Sequence, residues 1–316
     1  MLTPPKPRPY TAIMPLALSP RRALRLLSLV ATAALLAVPG LMGQEARGPR
    51  ERSIYVTVTG EDGRPVTGLP PSAFVVREDG RRREVLSAAP ATEPATLALM
   101  VDNSTASEPF IADIRRGLEA LVERMGGKHP MAVTTIGDRP TIVQDYTLVK
   151  ESLLKGVRRI FPVPGSAAYF VDGVAALSRG LIARDFERAF ILAILTEGPE
   201  FSDRRHSDTL PLLRESGAAL EALVINTPGG PDLGDDAARS RSIILDRGTG
   251  ETGGDRIDLL TSMAVGDALA AFAARVEGQY KVIYARPDSL IPPEKIEVSM
   301  ARPGLTARGT PARGSR

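Results

Sequence analysis

From residue 95 onward the chain alternates between runs patterned as buried strands and runs patterned as amphipathic helices. Thr96–Val101 is almost continuously apolar, and Phe190–Thr196 is the most apolar strand-like run of the chain. Strands that read this way are covered on both faces, as happens when helices flank a parallel sheet. Between them, Pro109–Met125 carries Ile111, Ile114, Leu118, Leu121 and Val122 at helical spacing, and Met131–Ile136 reads as a second strand. Leu148–Ile160, Val171–Ile182 and Ser207–Ser216 are predicted helices, and Ala219–Ile225 a further strand. Ile243–Leu245 is a strand-like apolar run, and Asp255–Val276 is read as largely one last helix. Such alternation restricts the fold class to α/β, with a doubly wound, mostly parallel, Rossmann-like sheet.

The flanks have a different pattern. Ser53–Thr59 alternates in polarity, and two short strands, Phe74–Arg77 and Arg83–Leu86, bracket the turn Asp79-Gly80. Residues 50–90 therefore form a small N-terminal β module, and Ala88–Pro94 reads as a linker. The α/β domain spans 95–277. Tyr280–Tyr284 and Lys295–Met300 return to β character within 278–306, and 307–316 reads as a disordered tail. The N-terminal strands are too few for a core of their own, so strands from both ends are expected to build one small β-sandwich.

Residues 1–43 read as a signal peptide. Arg21, Arg22 and Arg25 precede Leu26–Gln44, which carries no charge and is broken by Pro39-Gly40. Gly43 is the candidate residue before the cut, and Met14 is a candidate start. The alternative is an uncleaved membrane anchor. The chain is thus expected to be exported, to a periplasm or beyond, and to meet a membrane only through an uncleaved leader. The leader also explains the charge. It holds Lys6, Arg8 and those three arginines with no acid, so the formal net charge of +3 leaves the body slightly acidic. No basic face remains to argue for nucleic acid. The absence of cysteine and tryptophan, with only His129 and His206, removes thiolate and multi-histidine metal sites and a stacking platform for single strands.

Four segments, in this order, resemble the von Willebrand factor A-related proteins of bacteria, in particular the secreted type abundant in Acidobacteria. They are Val56–Leu69 followed by Phe74–Gly80; Leu97-Ala-Leu-Met-Val-Asp-Asn-Ser104; Ile194-Leu-Thr-Glu-Gly198; and Glu251-Thr-Gly-Gly254 followed by a helix and Gln279–Tyr284. The resemblance implies a von Willebrand factor A (VWA)-like sheet with a divalent cation at the carboxyl ends of its strands. Its ligands would come from a strand-1 motif Asp-x-Ser-x-Ser, a later threonine and an aspartate after strand 4. This chain keeps Asp102 and Ser104, has Ala106 at the third position, Ala167 or Ala168 at the threonine, and Glu197 at the aspartate. Ser166 and Thr105 offer hydroxyls only at displaced positions. The metal reading is thus Asp102, Ser104 and Glu197 in a degenerate site, with no cofactor or at most weak Mg²⁺ or Mn²⁺.

Other motifs carry less. Gly248–Gly253 matches a dinucleotide fingerprint in spacing, yet it reads as a turn before the last helix. His129 and His206 read as surface or capping residues, and Arg81–Arg83 as a solvated hairpin edge. No catalytic residue is assigned. The leading expectation is a non-enzymatic module that binds a protein partner through Asp102, Asn103, Ser104, Ser166 and Glu197. The alternatives are a structural component of an envelope assembly, or a hydrolase with an unrecognised site.

Overall fold

The computed structural model describes residues 50–227, 234–287, 293 and 295–311. The leader, and the final residues of the tail from 312, lie outside the described residues. The chain opens with β1 (Arg50–Thr59), β2 (Phe74–Glu78), β3 (Arg81–Arg83) and β4 (Val85–Pro90). The α/β portion runs β5 (Thr96–Val101), α1 (Ile111–Met125), β6 (Met131–Thr135), β7 (Thr141–Thr147), α2 (Lys150–Arg158) and α3 (Phe170–Arg184). It continues with β8 (Ala189–Thr196), α4 (His206–Ser216), β9 (Ala218–Ile225), α5 (Asp236–Ile243), α6 (Thr249–Thr252), β10 (Arg256–Leu259) and α7 (Val265–Glu277). The last strands are β11 (Tyr280–Arg286), β12 (Ile296–Met300) and β13 (Thr306–Pro311).

The large sheet has the order β10-β9-β8-β5-β6-β7, and only β7 runs antiparallel to its neighbour. The apolar run of β5 serves both faces at once. Leu97, Leu99 and Val101 pack with α1, α2 and α7, while Ala98 and Met100 pack with α3, α4 and the start of the turn after α5. This is the doubly wound α/β architecture, and the sheet changes direction between β5 and β8. Open α/β sheets form their crevice at such a switch point, beyond the carboxyl ends of the strands.

The flanking strands form two antiparallel sheets, β13-β1-β11-β4 and β12-β2-β3. Ile54, Val56, Val58, Phe74, Val76, Tyr280, Val282 and Tyr284 fill the space between them. Inside, the buried Glu78 carboxylate accepts from Tyr284 Oη at 2.9 Å and Arg83 Nε at 2.8 Å, so the charge is carried into the sandwich with partners.

Five sequence expectations change. Val85–Pro90 is a strand, so the first three residues of the supposed linker, Ala88, Ala89 and Pro90, pair with β11; the small residues fit where Lys281–Ile283 lie opposite. Thr141–Thr147 is an edge strand that its half-exposed polar residues had hidden. Asp255–Val276 is not one helix, because Arg256–Leu259 first pairs with β9. Ile243–Leu245 is helical and passes from α5 through a π-helical turn, Ile244–Gly248, into α6. The supposed tail supplies β13, which pairs with β1 and is tied by Thr310 Oγ1 donating to Thr252 O at 2.8 Å. The glycines of 248–254 have a backbone reason. Gly253 closes α6 at φ +80°, and a Cβ on Gly254 would lie 1.9 Å from Leu220 O.

The two portions meet at a dense polar joint below the amino ends of the large sheet. The buried Arg188 donates through Nε to Gln279 Oε1 at 2.9 Å, through Nη1 to Glu93 O at 2.7 Å, and through Nη2 to Val276 O. Its guanidinium also lies 5.4 Å from the Tyr55 ring centroid. His129 belongs to this joint rather than to the surface: its Nδ1 accepts the Ala95 N–H at 2.9 Å, and burial depresses its pKa.

Candidate functional site

Asp102 follows β5 directly and is buried at the switch point. Its Oδ1 accepts from the Ser104 N–H at 2.8 Å. Its Oδ2 accepts from Thr196 Oγ1 at 2.6 Å and from the Thr196 N–H at 3.2 Å. Both oxygens are therefore engaged by protein donors, and the carboxylate staples the end of β5 to the end of β8. Ser104 turns the chain into a 3-10 turn, Thr105–Phe110, and its carbonyl accepts from Ser107 Oγ at 2.8 Å.

Asn103 cross-ties two more loops. Its Oδ1 accepts the Gly137 N–H at 2.7 Å, its Nδ2 donates to Phe161 O at 2.8 Å, and its carbonyl accepts the Val163 N–H at 2.8 Å. A Cβ on Gly137 would stand 2.6 Å from Asn103 Oδ1 and 2.7 Å from its backbone, so this approach needs glycine. Ser166 Oγ donates to Val163 O at 2.8 Å, and Thr105 Oγ1 accepts from the Ser166 N–H at 3.1 Å. The displaced hydroxyls thus serve the loop 161–166.

The remaining ligand positions behave alike. Ala106 meets the next loop so closely that a Cβ on Gly198 would lie 2.7 Å from its own. Ala167 and Ala168 are buried, and Ala168 bridges to the following loop, donating its N–H to Pro199 O at 3.0 Å and accepting from the Phe201 N–H at 2.8 Å. Glu197 points toward β9: its Oε2 accepts the Thr227 N–H at 3.1 Å. The structure therefore gathers Asp102, Asn103, Ser104 and Ser166 around one crevice and turns the Glu197 side chain onto Thr227. This donor set does not fit a six-coordinate hard cation: both Asp102 oxygens and the Glu197 Oε2 already accept protein donors, and methyls stand at two positions. Among the described residues no group of three or more His, Asp or Glu is placed to hold a metal ion.

Several residues of the site were not legible in the sequence. Glu200 is buried, and its Oε1 accepts from Ser202 Oγ and from the Val171 N–H at 3.4 Å. Ser202 Oγ in turn accepts the Asp172 N–H at 3.0 Å. These two side chains cap α3 from another loop, because its own first flanking residue, Tyr169, offers no side-chain bond. Burial pushes the Glu200 carboxyl up to about 7, the Asp102 charge adds to the rise, and the Ser202 bond, the Arg241 charge and the Val171 N–H oppose it. Arg241, on α5, is buried and donates from Nη2 to Thr196 O at 2.6 Å and from Nη1 to Gly198 O at 3.3 Å. His206 stands nearby, with Nδ1 3.4 Å from Ser240 Oγ. Only the pair Glu200-x-Ser202, with capping chemistry next to a strand end, was a usable signal. Arg241 lies 45 positions from its carbonyl partner, and no local pattern marks it.

Two of the loops around this crevice expose aromatic side chains. Phe161 is 58% exposed and Phe201 57% exposed, although Phe161 O is bound by Asn103 and Phe201 N–H by Ala168. The Arg115 guanidinium lies 5.2 Å from the centre of the Phe161 ring. Pro164 and Pro199 are also exposed on these loops.

No protein-family model matches the chain, and no curated protein matches it. Solved structures do. A von Willebrand factor type A protein from Catenulispora acidiphila is similar at 9% identity over 85% of this chain and 74% of its own, with a TM-score of 0.45. Proximal thread matrix protein 1 from the mussel byssus, with a zinc-occupied metal-ion-dependent adhesion motif, is similar at 14% identity over 66% of this chain and 50% of its own, TM-score 0.48. The human COPII-coat protein Sec24c is similar at 9% identity over 71% of this chain and 44% of its own, TM-score 0.44. The chain thus spans half or less of the last two. At these identities the likenesses concern the fold alone, and the α/β fold itself rests on the strand order and the two covered faces described above.

Proposed function

We propose that the chain is a non-enzymatic protein-binding module that takes its partner at the crevice rim, without a metal ion. One observation carries this reading: two phenylalanines stand exposed on otherwise pinned loops, one tied to Asn103, the residue after the engaged Asp102 carboxylate, and one to Ala168. Exposed aromatic side chains on rigid loops are the usual anchors of a protein interface, since they bury much area at little entropic cost. The expected VWA-type cation is not needed, because Asp102 and Thr196 already join the two strands that such an ion would bridge. A catalytic role has no support in the site: its buried acid, Glu200, caps a helix, and His206 faces a serine hydroxyl.

The test is capture of a partner from an envelope extract, followed by titration. The Phe161→Ser, Phe201→Ser double variant should weaken the captured complex at least about tenfold, with the melting temperature nearly unchanged, because exposed aromatic anchors act on binding. Addition of EDTA should leave binding by the natural chain intact. Loss of binding in EDTA, or full binding by the double variant, rejects this reading. Capture that depends on the β-sandwich instead would favour a structural component of an envelope assembly.

We also propose that the chain is exported and its leader removed. The arginines and apolar run of residues 21–43 support this. Mass spectrometry of the mature protein should find an N-terminus near Gln44, whereas an intact Arg21–Gly43 segment would identify a retained anchor.

A further inference from the structure

We infer that one end of the β-sandwich is an oxyanion site, which takes a small doubly charged group of phosphate or sulfate type between Arg52 and Arg81. The crevice loops contribute nothing to it. Side chains alternate along a strand, so the strand register fixes which residues continue the buried rows of the sandwich. Ile54, Val56 and Val58 line its core, and Arg52 continues their row on β1. Tyr280, Val282 and Tyr284 line it from β11, and Arg286 continues theirs. On the facing sheet Glu78 continues the row of Phe74 and Val76, and β3 sets Arg81 opposite Glu78 and Arg83 opposite Val76. Arg52, Arg81, Arg83 and Arg286 therefore stand at inward positions of one end, and Glu78 is the one acid at an inward position of these four strands among the described residues. The run Arg81–Arg83, expected as a solvated hairpin edge, fits that reading only in part. Arg82 lies opposite Arg77 on the outer face, whereas Arg83 turns in.

Two of these arginines have a carboxylate. Arg83 donates through Nε to Glu78 Oε2 at 2.8 Å, and Arg286 Nε lies 3.4 Å from the same oxygen, while Tyr284 Oη holds Oε1. The other two have none. Arg52 sits across the register from Tyr284, is half-buried, and its Nε is buried without a hydrogen-bond partner. Neither Arg52 nor Arg81 makes an ion pair among the described residues. A guanidinium at the surface keeps its hydration. One drawn partly out of water, with a donor shut off and no acceptor, is destabilising until an anion joins it. Its planar fork of donors matches the oxygens of a phosphate or a carboxylate. Glu78 already occupies Arg83 and Arg286, so two positive charges are left, and a dianion offsets both. Exposure falls from Arg81, which is exposed, through Arg52 to the buried Arg286 and Glu78, so the cluster opens to solvent at Arg81.

The experiment is titration of the full chain with inorganic phosphate at about pH 8, where the ion is doubly charged, followed by calorimetry and by melting temperature against sodium chloride of equal ionic strength. Saturating phosphate should raise the melting temperature by roughly 3 °C or more over chloride, since it binds the folded chain. Arg52→Met should melt in chloride no lower than the natural chain, because it removes a stranded donor, and should lose the phosphate response. Arg81→Gln should weaken phosphate binding about tenfold with the melting temperature in chloride unchanged. Glu78→Gln should act with the opposite sign and tighten phosphate binding, by removing the carboxylate that now holds Arg83. Arg82→Gln, on the outer face, should bind as the natural chain does. No heat with phosphate, a response equalled by chloride, or Arg82→Gln weakening as much as Arg81→Gln would reduce the arginines to diffuse surface charge and overturn the inference. An undiminished response in Arg52→Met would overturn it as well. Should either buried variant not fold, Arg81→Gln against Arg82→Gln decides. Methyl phosphate, run beside phosphate, separates the sources: tighter binding marks a phosphate ester and looser binding a free ion, and either supports the site.

Discussion

Arg188→Met should lower the melting temperature by roughly 10 °C, through about 3–5 kcal/mol of lost stability. The substitution keeps most of the side chain's length but strands Glu93 O, Val276 O and Gln279 Oε1, which all now accept from the guanidinium. It also removes the cation from the Tyr55 ring, whose hydroxyl donates to Glu187 Oε1 at 3.0 Å. Lys281 pairs with both Glu93 and Glu187 and would hold part of the joint, so the two portions should loosen before either unfolds. Calorimetry should then resolve a broadened or split transition. A sharp transition at the natural temperature would show that the apolar contacts of the joint suffice without Arg188.

Asp102→Ala should cost about 3 kcal/mol, or roughly 8 °C, because it leaves the Thr196 N–H, the Thr196 hydroxyl and the Ser104 N–H without their acceptor in a buried site. Asp102→Asn should cost less. Its remaining oxygen can still accept one N–H, and its amide can donate to the threonine hydroxyl. Neither deficit should change with EDTA or added Mg²⁺, since the carboxylate staples β5 to β8 through protein donors. Equilibrium unfolding in urea with each additive checks this. A deficit that disappears in EDTA, because the natural chain loses stability there too, would mean that Asp102 acts through a metal.

The sequence revealed what depends on periodicity and missed what depends on distance. The two apolar strands β5 and β8 announced a sheet covered on both faces, and the residues after them, Asp102 and Glu197, marked the crevice. The half-polar β7 and the four-residue β10 did not stand out, because edge strands bury one side or little at all. β13 looked like a tail since Thr306–Pro311 has no apolar run; pairing with β1 and a threonine bond to α6 hold it instead. Within the site, the sequence pointed to Asp102, Ser104 and Glu197 but not to the residues that bond them. Thr196, which donates to Asp102, and Arg241, which donates to the Thr196 carbonyl, are joined only by the fold.

The pairing of β1 has a consequence for the order in which the protein can assemble. β1 lies between β11 and β13, and β4 pairs with β11 as well, so the first sheet of the sandwich waits for strands beyond residue 279. Arg52 and Tyr284 lie opposite each other in the register although the whole α/β portion separates them in the chain. Closing so long a loop is slow when the intervening chain is unfolded, and much less so once it is compact. Folding of the α/β portion brings Ala95 and Gly278 to the same end of the large sheet, and this turns a distant encounter into a local one. The β-sandwich is therefore the last part to form. Until it does, β1 and β4 are unpaired edges, exposed for as long as the large sheet takes to fold.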